Sequence, residues 1–597
     1  MAKQKRSKFS SLMIRFLVWR LKHISDNNFL LITAGFIGLF SGLAAVILKS
    51  TVHFIIDSLD VNRALFGFNY TYLVYPLLGI LLTSIVSRYL FKEKLGHGIT
   101  QILYAISKNS SIIRKTRMYS RMVTSAITVG LGGSVGLEAP IVVTGSAIGS
   151  NLARLFHLSY KKRTLLLGCG AAGAISAIFN SPVTGVIFAM EVILTEVKIN
   201  RFIPLLMASV CGQLISIVLL GDDILFSFKL KDPFVAPDIT YYLLFGALCG
   251  MISLYFTRMI FVFEGAIQKL KNDFGRAFIG GISLAVIILL FPPIYGEGYA
   301  TIKNLLDGNS DNIFFSNLLS FLSESQATIL IFLLLVLLVK PIATALTIGA
   351  GGSGGIFAPS LFMGGISGYV FSSSANTIFG TSLSTSNFTL VGMCGVMSGV
   401  LHAPLTAIFL IAEITSGYML FVPLMLVSAI SYSTISYFEK YSIYTKRLIE
   451  TGDLIQYDKD QIVLSLIDLK KIVEKDLLTI RPEQTLNDLV KLVKKSKRNI
   501  FPVVNEDHQL EGIVTLDDIR EMMFDEESRE NVIIQAIMQK PPASVSPQEK
   551  MQSVMNKFEV TQAWNLPVID DDKYIGFISK SRIFNAYRNK LIRQTSE

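Results

Sequence analysis

Charge is scarce for a chain of this length. Of 597 residues, 55 are Lys or Arg and 44 are Asp or Glu, so only 17% are charged, while 51% are hydrophobic and the mean hydropathy is +0.52. A single soluble domain of this size needs more polar surface than that to cover its core. Disorder requires low hydrophobicity and collagen a strict glycine period, so both classes fall away. Cysteine is nearly absent. Cys169, Cys211, Cys249 and Cys394 stand in apolar surroundings with no CxxC or Cys/His spacing. They are expected to be packed thiols, with no disulfide framework and no metal site. The sequence also contains no HExxH or Walker motif, so no enzyme is expected. What survives is a polytopic membrane protein with length to spare for a soluble module.

The net charge of +11 is concentrated first at the N-terminus, where Lys3, Lys5, Arg6, Lys8, Arg15, Arg20 and Lys22 are interleaved with apolar residues. A secretory signal separates its basic and apolar regions and ends in small residues, so no cleaved signal is expected. Residues 1–27 read as a basic segment on the cytoplasmic side by the positive-inside rule. No nucleic-acid reading module follows, so no nucleic-acid partner is expected.

Apolar segments then run from about Asn28 to Tyr437. Leu31–Leu48, and Tyr241–Phe256 and Ile329–Val339 with their flanks, are long enough to span. Gly132–Gly149, Gly168–Val192 and Gly349–Gly368 are broken by Gly and Pro. A crossing takes about 20 helical residues, so broken segments predict helices that end inside the bilayer against an enclosed cavity. These segments recur. EAP at Glu138–Pro140 precedes GAAG at Gly170–Gly173, Pro182 and Glu191, and FAP at Phe357–Pro359 precedes GMCG at Gly392–Gly395, Pro404 and Glu413. Pro182 to Glu191 and Pro404 to Glu413 are both nine residues (191 − 182, 413 − 404). Paired interrupted segments in two halves point to a transport site at the midplane. Glycine packing such as the GxxxG of Gly145 and Gly149 does not by itself reproduce those intervals.

After Lys440 charged residues become frequent, and a linker over 451–462 leads to a module over 463–595. Pro482, Pro502 and Gly512 match Pro547, Pro567 and Gly576 at offsets of 65, 65 and 64. Each half predicts a helix, a strand (FPVV or LPVI), an acidic turn, a strand (GIVT or GFIS) and a charged helix, together an α+β module.

Within 28–450, Glu138 stands out in GGSVGLEAP, with Pro140 suited to a first helical turn. A carboxylate at membrane depth is a functional candidate by default, and here it can exchange a proton. Its structural alternative is a helix-capping acid. The stretch Gly349–Gly365 contains a formal GxGxxG, but residues 366–385 hold no Asp or Glu, which excludes a dinucleotide site. Backbone N–H groups of Gly355, Ile356 and Phe357 at a helix start would instead form a neutral anion cradle. Neutral donors suit conduction, because a full charge would hold an anion too tightly.

GLEAP, GGIFAP, the internal repeat and the two-part tail together resemble the CLC chloride channels and chloride/proton exchangers, and the tail resembles a pair of CBS domains. The resemblance implies an all-α polytopic domain with an internal inverted repeat and broken helices, followed by the α+β CBS pair. It also implies a homodimer with one anion pathway per subunit. Glu138 would be the gating glutamate within Gly136, Leu137, Ala139 and Pro140, competing with chloride until protonation releases it. Ile356 and Phe357 would donate to the central anion. Tyr444 in SIYTKRL matches the family tyrosine that faces it, with Tyr441 as a rival.

Three departures from the family pattern matter. The GSGIP motif appears as Gly96-His97-Gly98-Ile99-Thr100, with His97 in the position of a chloride-donating serine. Leu137 replaces a basic residue next to the gate. Val192, after Glu191, stands where exchangers commonly carry a proton-transfer glutamate, so the channel members are matched there; Glu191 and Glu413 read as structural carboxylates. In the tail, Thr515 and Asp518 match the ribose contacts of nucleotide-binding CBS modules, whereas the second copy has Ser579 and Arg582. Adenine nucleotide is therefore a candidate ligand, beside the preferred reading of a ligand-free dimerising module. The resulting expectation is a chloride channel in a cell membrane, a bacterial inner membrane, with the CBS pair cytoplasmic. A proton-coupled exchanger is the alternative. A CBS-regulated divalent-cation transporter is remote, because only one clear intramembrane acid is evident.

Overall fold

The computed structural model describes residues 8–66, 71–93, 96, 98–194, 202–221, 232–308, 326–415, 417–450, 464 and 467–595. It divides into two compact units, Met1–Leu454 and Ile455–Glu597. The basic residues before Lys8 and the linker 451–462 lie outside the described residues.

The first unit is helical. Its described helices are α1 (Lys8–His23), α2 (Asp26–Phe66), α3 (Thr71–Ile85), α4 (Gly98–Lys108), α5 (Ser120–Gly130), α6 (Glu138–Leu155), α7 (Tyr160–Phe179), α8 (Pro182–Phe188) and α9 (Phe202–Leu220). The second half continues with α10 (Ile239–Gln268), α11 (Asp273–Leu290), α12 (Tyr299–Asp307), α13 (Gln326–Gly349), α14 (Phe357–Phe379), α15 (Thr385–Leu401), α16 (Pro404–Ile414), α17 (Phe421–Phe438) and α18 (Ile443–Glu450). Among the described residues, eight helical stretches are long and apolar enough to cross a membrane. One face of α2 shows how they meet lipid. Ile32, Phe36, Phe40, Leu43, Ile47 and Phe54 are exposed at helical spacing, as a lipid-facing stripe should be. On the inner face Gly38 and Gly42 lie against α9, where an added Cβ would fall 2.1 Å from the Ala208 carbonyl oxygen and 2.6 Å from that of Gly212. Small residues permit this close backbone approach between membrane helices.

Other helices are too short to cross. Eleven residues in α16 span about 16 Å at 1.5 Å per residue, against a hydrocarbon core of about 30 Å. They belong to an internal repeat. The glycines Gly145 and Gly170 press α6 onto α7, and Gly364 and Gly392 press α14 onto α15; in each pair an added Cβ would meet the other glycine's carbonyl oxygen within 2.2 Å. The offset is 219 for the first partner (364 − 145) and 222 for the second (392 − 170). Helices α7 and α15 both stop on a left-handed residue, Asn180 and His402, again 222 apart (402 − 180).

The halves also exchange contacts reciprocally. Thr128 Oγ1 accepts the Ser353 N–H at 3.0 Å, and Thr347 Oγ1 accepts the Ser134 N–H at 3.3 Å. Gly136 and Gly355 trade N–H···O bonds of 2.9 and 2.8 Å as an isolated antiparallel bridge. Reciprocal pairing of this kind is what a two-fold relation between halves produces, as in inverted-repeat transporters.

The second unit contains β1 (Ile500–Val504) paired antiparallel with β2 (Leu510–Thr515), and β3 (Asn565–Asp570) paired with β4 (Lys573–Ser579). Pro502 faces Ile513 and Pro567 faces Phe577, so the sequence repeat becomes two like hairpins. Ile480 adds a parallel bridge to β1, and Val545 one to β3. Each hairpin has its own apolar core, with Phe501, Val503 and Val514 in one and Leu566, Val568 and Ile578 in the other. The segment before the first hairpin packs with the second, where Glu474 pairs with Phe577, and Gln539 returns to pair with Ile513. This interlocking makes one module of the two copies.

Candidate functional site

Helices α6 and α14 begin where the two halves touch. Glu138 opens α6 and Phe357 opens α14, with Pro in the third position of each (Pro140 and Pro359). A first helical turn leaves N–H groups without intrahelical acceptors, and proline removes one of them. The bridge between Gly136 and Gly355 holds these two starts side by side. Space there is tight. A Cβ on Gly355 would lie 2.7 Å from the Ala139 Cβ, and one on Gly136 would lie 2.0 Å from Glu138 Oε2.

Glu138 is buried, at 2% exposure. Its Oε1 accepts the Tyr299 hydroxyl at 2.6 Å, and its Oε2 has no hydrogen-bond partner among the described residues. Leu137 is the N-cap residue of α6, and its N–H donates to Glu297 Oε1 at 3.0 Å. Ala139 and Pro140 are buried in the first turn. Ile356 and Phe357 are buried too, and the Phe357 ring stacks on Phe179 (centroids 5.3 Å apart) with its other neighbour Phe188 at 6.4 Å. These two rings belong to α7 and α8, so the start of α14 is clamped by the ends of broken helices from the first half.

Tyr444, at the start of α18, is buried, and its hydroxyl has no partner among the described residues. The Thr100 hydroxyl donates to its carbonyl at 3.3 Å. Tyr441 is half-buried, with the Lys440 ammonium 5.7 Å from its ring centroid, so of the two tyrosines Tyr444 is the enclosed one. Gly98 opens α4 and packs on α6, where an added Cβ would meet Val143 at 2.6 Å and the Ala139 carbonyl at 3.2 Å. The carbonyl of Gly96 accepts from Arg121 at 3.4 Å. His97 lies outside the described residues.

Val192 is buried in the π-helical turn Ala189–Ile193 that follows α8. Beside it, Glu191 accepts N–H bonds from Leu405 and Thr406 at the start of α16, while Glu413 accepts from Val183 and Thr184 at the start of α8. Both carboxylates are thus helix caps.

The expectation of a single clear intramembrane acid is corrected. Glu297, between α11 and α12, accepts the Leu137 N–H just ahead of Glu138. Glu264 is buried in α10 and pairs with Arg447 of α18. Lys340 is buried in α13, and its Nζ donates to the carbonyls of Ile294 and Gly296 at 3.3 Å each. The signal for Glu297 was present in the sequence, since GEGY at Gly296–Tyr299 is an acid in a glycine-flanked break after an apolar run, like GLEAP. Among the described residues no group of three or more acids, histidines or cysteines gathers to hold a metal ion, and Glu297 accepts a backbone N–H while Glu264 pairs with an arginine.

In the second unit, Thr515 and Asp518 form a capping box. Asp518 Oδ2 accepts both the Thr515 N–H and hydroxyl at 2.7 Å, and Asp518 Oδ1 accepts from Gln539 at 2.9 Å. An open polar cleft of about 390 Å³ is lined by residues of both copies, Glu474 and Arg498 of the first and Asn565, Ser579, Arg582 and Asn585 of the second among others.

Residues 78–436 match the family model described as voltage gated chloride channel, and residues 469–525 and 534–589 match that of the CBS domain. The chain is 27% identical over 484 residues to chloride channel protein CLC-f of Arabidopsis thaliana, covering 71% of this chain and 60% of that protein's length. It is 26% identical over 415 residues to the H(+)/Cl(-) exchange transporter ClcA of Vibrio parahaemolyticus, covering 66% and 84%. The crystal structure of a eukaryotic CLC transporter shares its fold, with a TM-score of 0.60 at 18% identity over 96% of this chain and 98% of the other. The family model alone spans more than half of the chain, 359 of 597 residues (436 − 78 + 1). The chain belongs to the voltage-gated chloride channel family and carries two CBS domains after its membrane-spanning region.

Proposed function

We propose that this protein conducts chloride across a cell membrane through a pathway gated by Glu138. The observation that carries the reading is a carboxylate buried where two helix starts are bridged, with one oxygen held by Tyr299 and the other without a hydrogen-bond partner among the described residues. Helix N-termini favour anions, and neutral N–H donors bind them without trapping them. In this reading the backbone at Gly355, Ile356 and Phe357 and the Tyr444 hydroxyl face the permeant anion, with the Gly96–Gly98 loop completing the site. Glu138 in its ionised form occupies the anion's place, and protonation lets it leave.

The channel reading is the main one because Val192 cannot carry a proton. The exchanger reading draws on the likeness to an exchange transporter. Reconstitution into liposomes under a chloride gradient separates them when chloride efflux and internal pH are recorded together. Chloride efflux without coupled proton movement supports the channel; proton movement driven against its own gradient supports exchange. Absence of chloride flux in both assays would overturn the whole reading.

A homodimer with one pathway per subunit, a bacterial inner membrane, and a cytoplasmic N-terminus and CBS pair complete the proposal, the orientation resting on the basic N-terminus. The CBS pair serves as a dimerising module without a ligand, because Thr515 and Asp518 spend their polar groups on each other.

A further inference from the structure

The gate loop is gripped from one short segment, Ile294–Tyr299. Ser134 donates its hydroxyl to the Ile294 carbonyl at 2.9 Å, the Gly296 N–H reaches the Gly132 carbonyl at 3.3 Å, Glu297 Oε1 accepts the Leu137 N–H at 3.0 Å, and the Tyr299 hydroxyl reaches Glu138 Oε1 at 2.6 Å. Gly298, between the last two contacts, has φ +85°, and an added Cβ there would lie 2.4 Å from the Phe362 ring, so only glycine fits the turn. Lys340 ties down the same segment through the carbonyls of Ile294 and Gly296, with its ammonium 4.6 Å from the centroid of the Phe362 ring.

We propose that Glu297, balanced by Lys340, is a positioning carboxylate that fixes the seat of Glu138 and sets the pH at which Glu138 leaves it. Glu297 holds the N-cap residue of α6, one position before the gate, so the gate's backbone and its side chain are both anchored to residues 297–299. Charged and titratable groups face it from four elements: Lys340 of α13, Lys49 of α2, Glu138 of α6 and Tyr299 at the start of α12. Two carboxylates sharing an enclosed site disfavour each other's ionised forms, and a nearby cation relieves this. A negative charge on Glu297 therefore favours protonated Glu138, and the positive charge of Lys340 opposes it. Neither group needs to touch the anion.

This inference rests on the reading of Glu138 as the gate, and one set of measurements separates the two. Chloride efflux from liposomes is recorded over a pH series for the full-length protein and for Glu138→Gln, Glu297→Gln, Lys340→Met and the Glu297→Gln/Lys340→Met double variant. Glutamine keeps an acceptor for the Leu137 N–H while removing the charge. The expected result is a half-activation pH shifted to the acid side by about one unit in Glu297→Gln, to the alkaline side in Lys340→Met, and between the two in the double variant. A purely structural role would change melting temperature or total flux and leave the half-activation pH in place, and that outcome overturns the inference. If Glu297→Gln does not fold, Lys340→Met decides: an alkaline shift supports the inference and an unmoved profile overturns it. A flat profile in Glu138→Gln with unmoved Glu297→Gln and Lys340→Met profiles removes Glu297 alone. Full pH dependence in Glu138→Gln removes the gate reading, and the inference with it.

Discussion

Glu191 and Glu413 cap each other's helices. Glu191 Oε2 accepts the Thr406 N–H at 2.8 Å and its hydroxyl at 2.6 Å, and Glu413 Oε2 accepts those of Thr184 at the same two distances. Each carboxylate stands near the C-terminal end of its own short helix, where the dipole disfavours it, and at the N-terminal end of the other, where the dipole favours it. The nine-residue interval from proline to glutamate in both halves is the length that places a cap donor at one end and a cap acceptor at the other.

Removing either cap leaves two N–H groups and a hydroxyl unpaired in a half-buried setting. Glu191→Ala and Glu413→Ala should each lower unfolding free energy by about 1–3 kcal/mol, and by similar amounts because the contacts match. Thermal melts of the purified protein in detergent measure this. A loss confined to one of the two would break the equivalence.

Gly136→Ala places a methyl group where Glu138 Oε2 now sits, 2.0 Å away. The carboxylate must move or the bridge to Gly355 must open, at a cost of about 1–3 kcal/mol. Chloride flux at neutral pH should rise toward that of Glu138→Gln. Wild-type flux in Gly136→Ala would show that the seated carboxylate does not obstruct the path.

Tyr299→Phe removes the hydroxyl that holds Glu138 Oε1. A hydrogen bond to a charged acceptor contributes about 1.5–3 kcal/mol, so the seated carboxylate should be released about tenfold more readily. The half-activation pH should move to the alkaline side by about one unit. An unchanged pH profile would mean that the phenol does not restrain the gate.

In the CBS pair, Arg498 hydrogen-bonds Asp476 at 3.0 and 3.2 Å and holds its carboxyl below the ordinary value of 3.8. A lowered carboxylate contributes stability above its unfolded value and loses it as the pH falls through the folded value. Arg498→Gln should therefore bring the Asp476 titration back up toward 3.8, with little change in stability at neutral pH, since the pair is solvent-screened. A pH titration followed by carboxyl NMR shifts reads this directly. An Asp476 midpoint that stays low in Arg498→Gln would assign the shift to its backbone hydrogen bond and to Arg582.

Calorimetric titration of ATP, ADP and AMP into the full-length protein should give no heat at millimolar ligand. Heat that disappears in Asp518→Asn would make the capping box of Thr515 and Asp518 a nucleotide site.

Much of this architecture is legible in the sequence because glycine and proline mark where membrane helices must break. The pairs Pro182/Pro404 and Glu191/Glu413 mark the repeat in the sequence itself, and Glu138 stands out by its depth and its glycine-rich setting. What stayed hidden was partnership across distance. Lys340 reads as one lysine in an apolar run, and only the fold brings it to the carbonyls of Ile294 and Gly296. Likewise Tyr299 is one of 21 tyrosines until α12 turns its hydroxyl onto Glu138. Spacing reveals a residue that repeats, whereas a lone residue is revealed only by its neighbours.

The exchanged caps also constrain biogenesis. Glu191 finds its donors 214 and 215 residues further along the chain, at the N–H groups of Leu405 and Thr406. While the ribosome makes that stretch, the emerging first half carries an uncapped helix end and an unneutralised carboxylate with no partner yet synthesised. The two caps therefore form only once both halves are made, so the native ends of α8 and α16 are completed together.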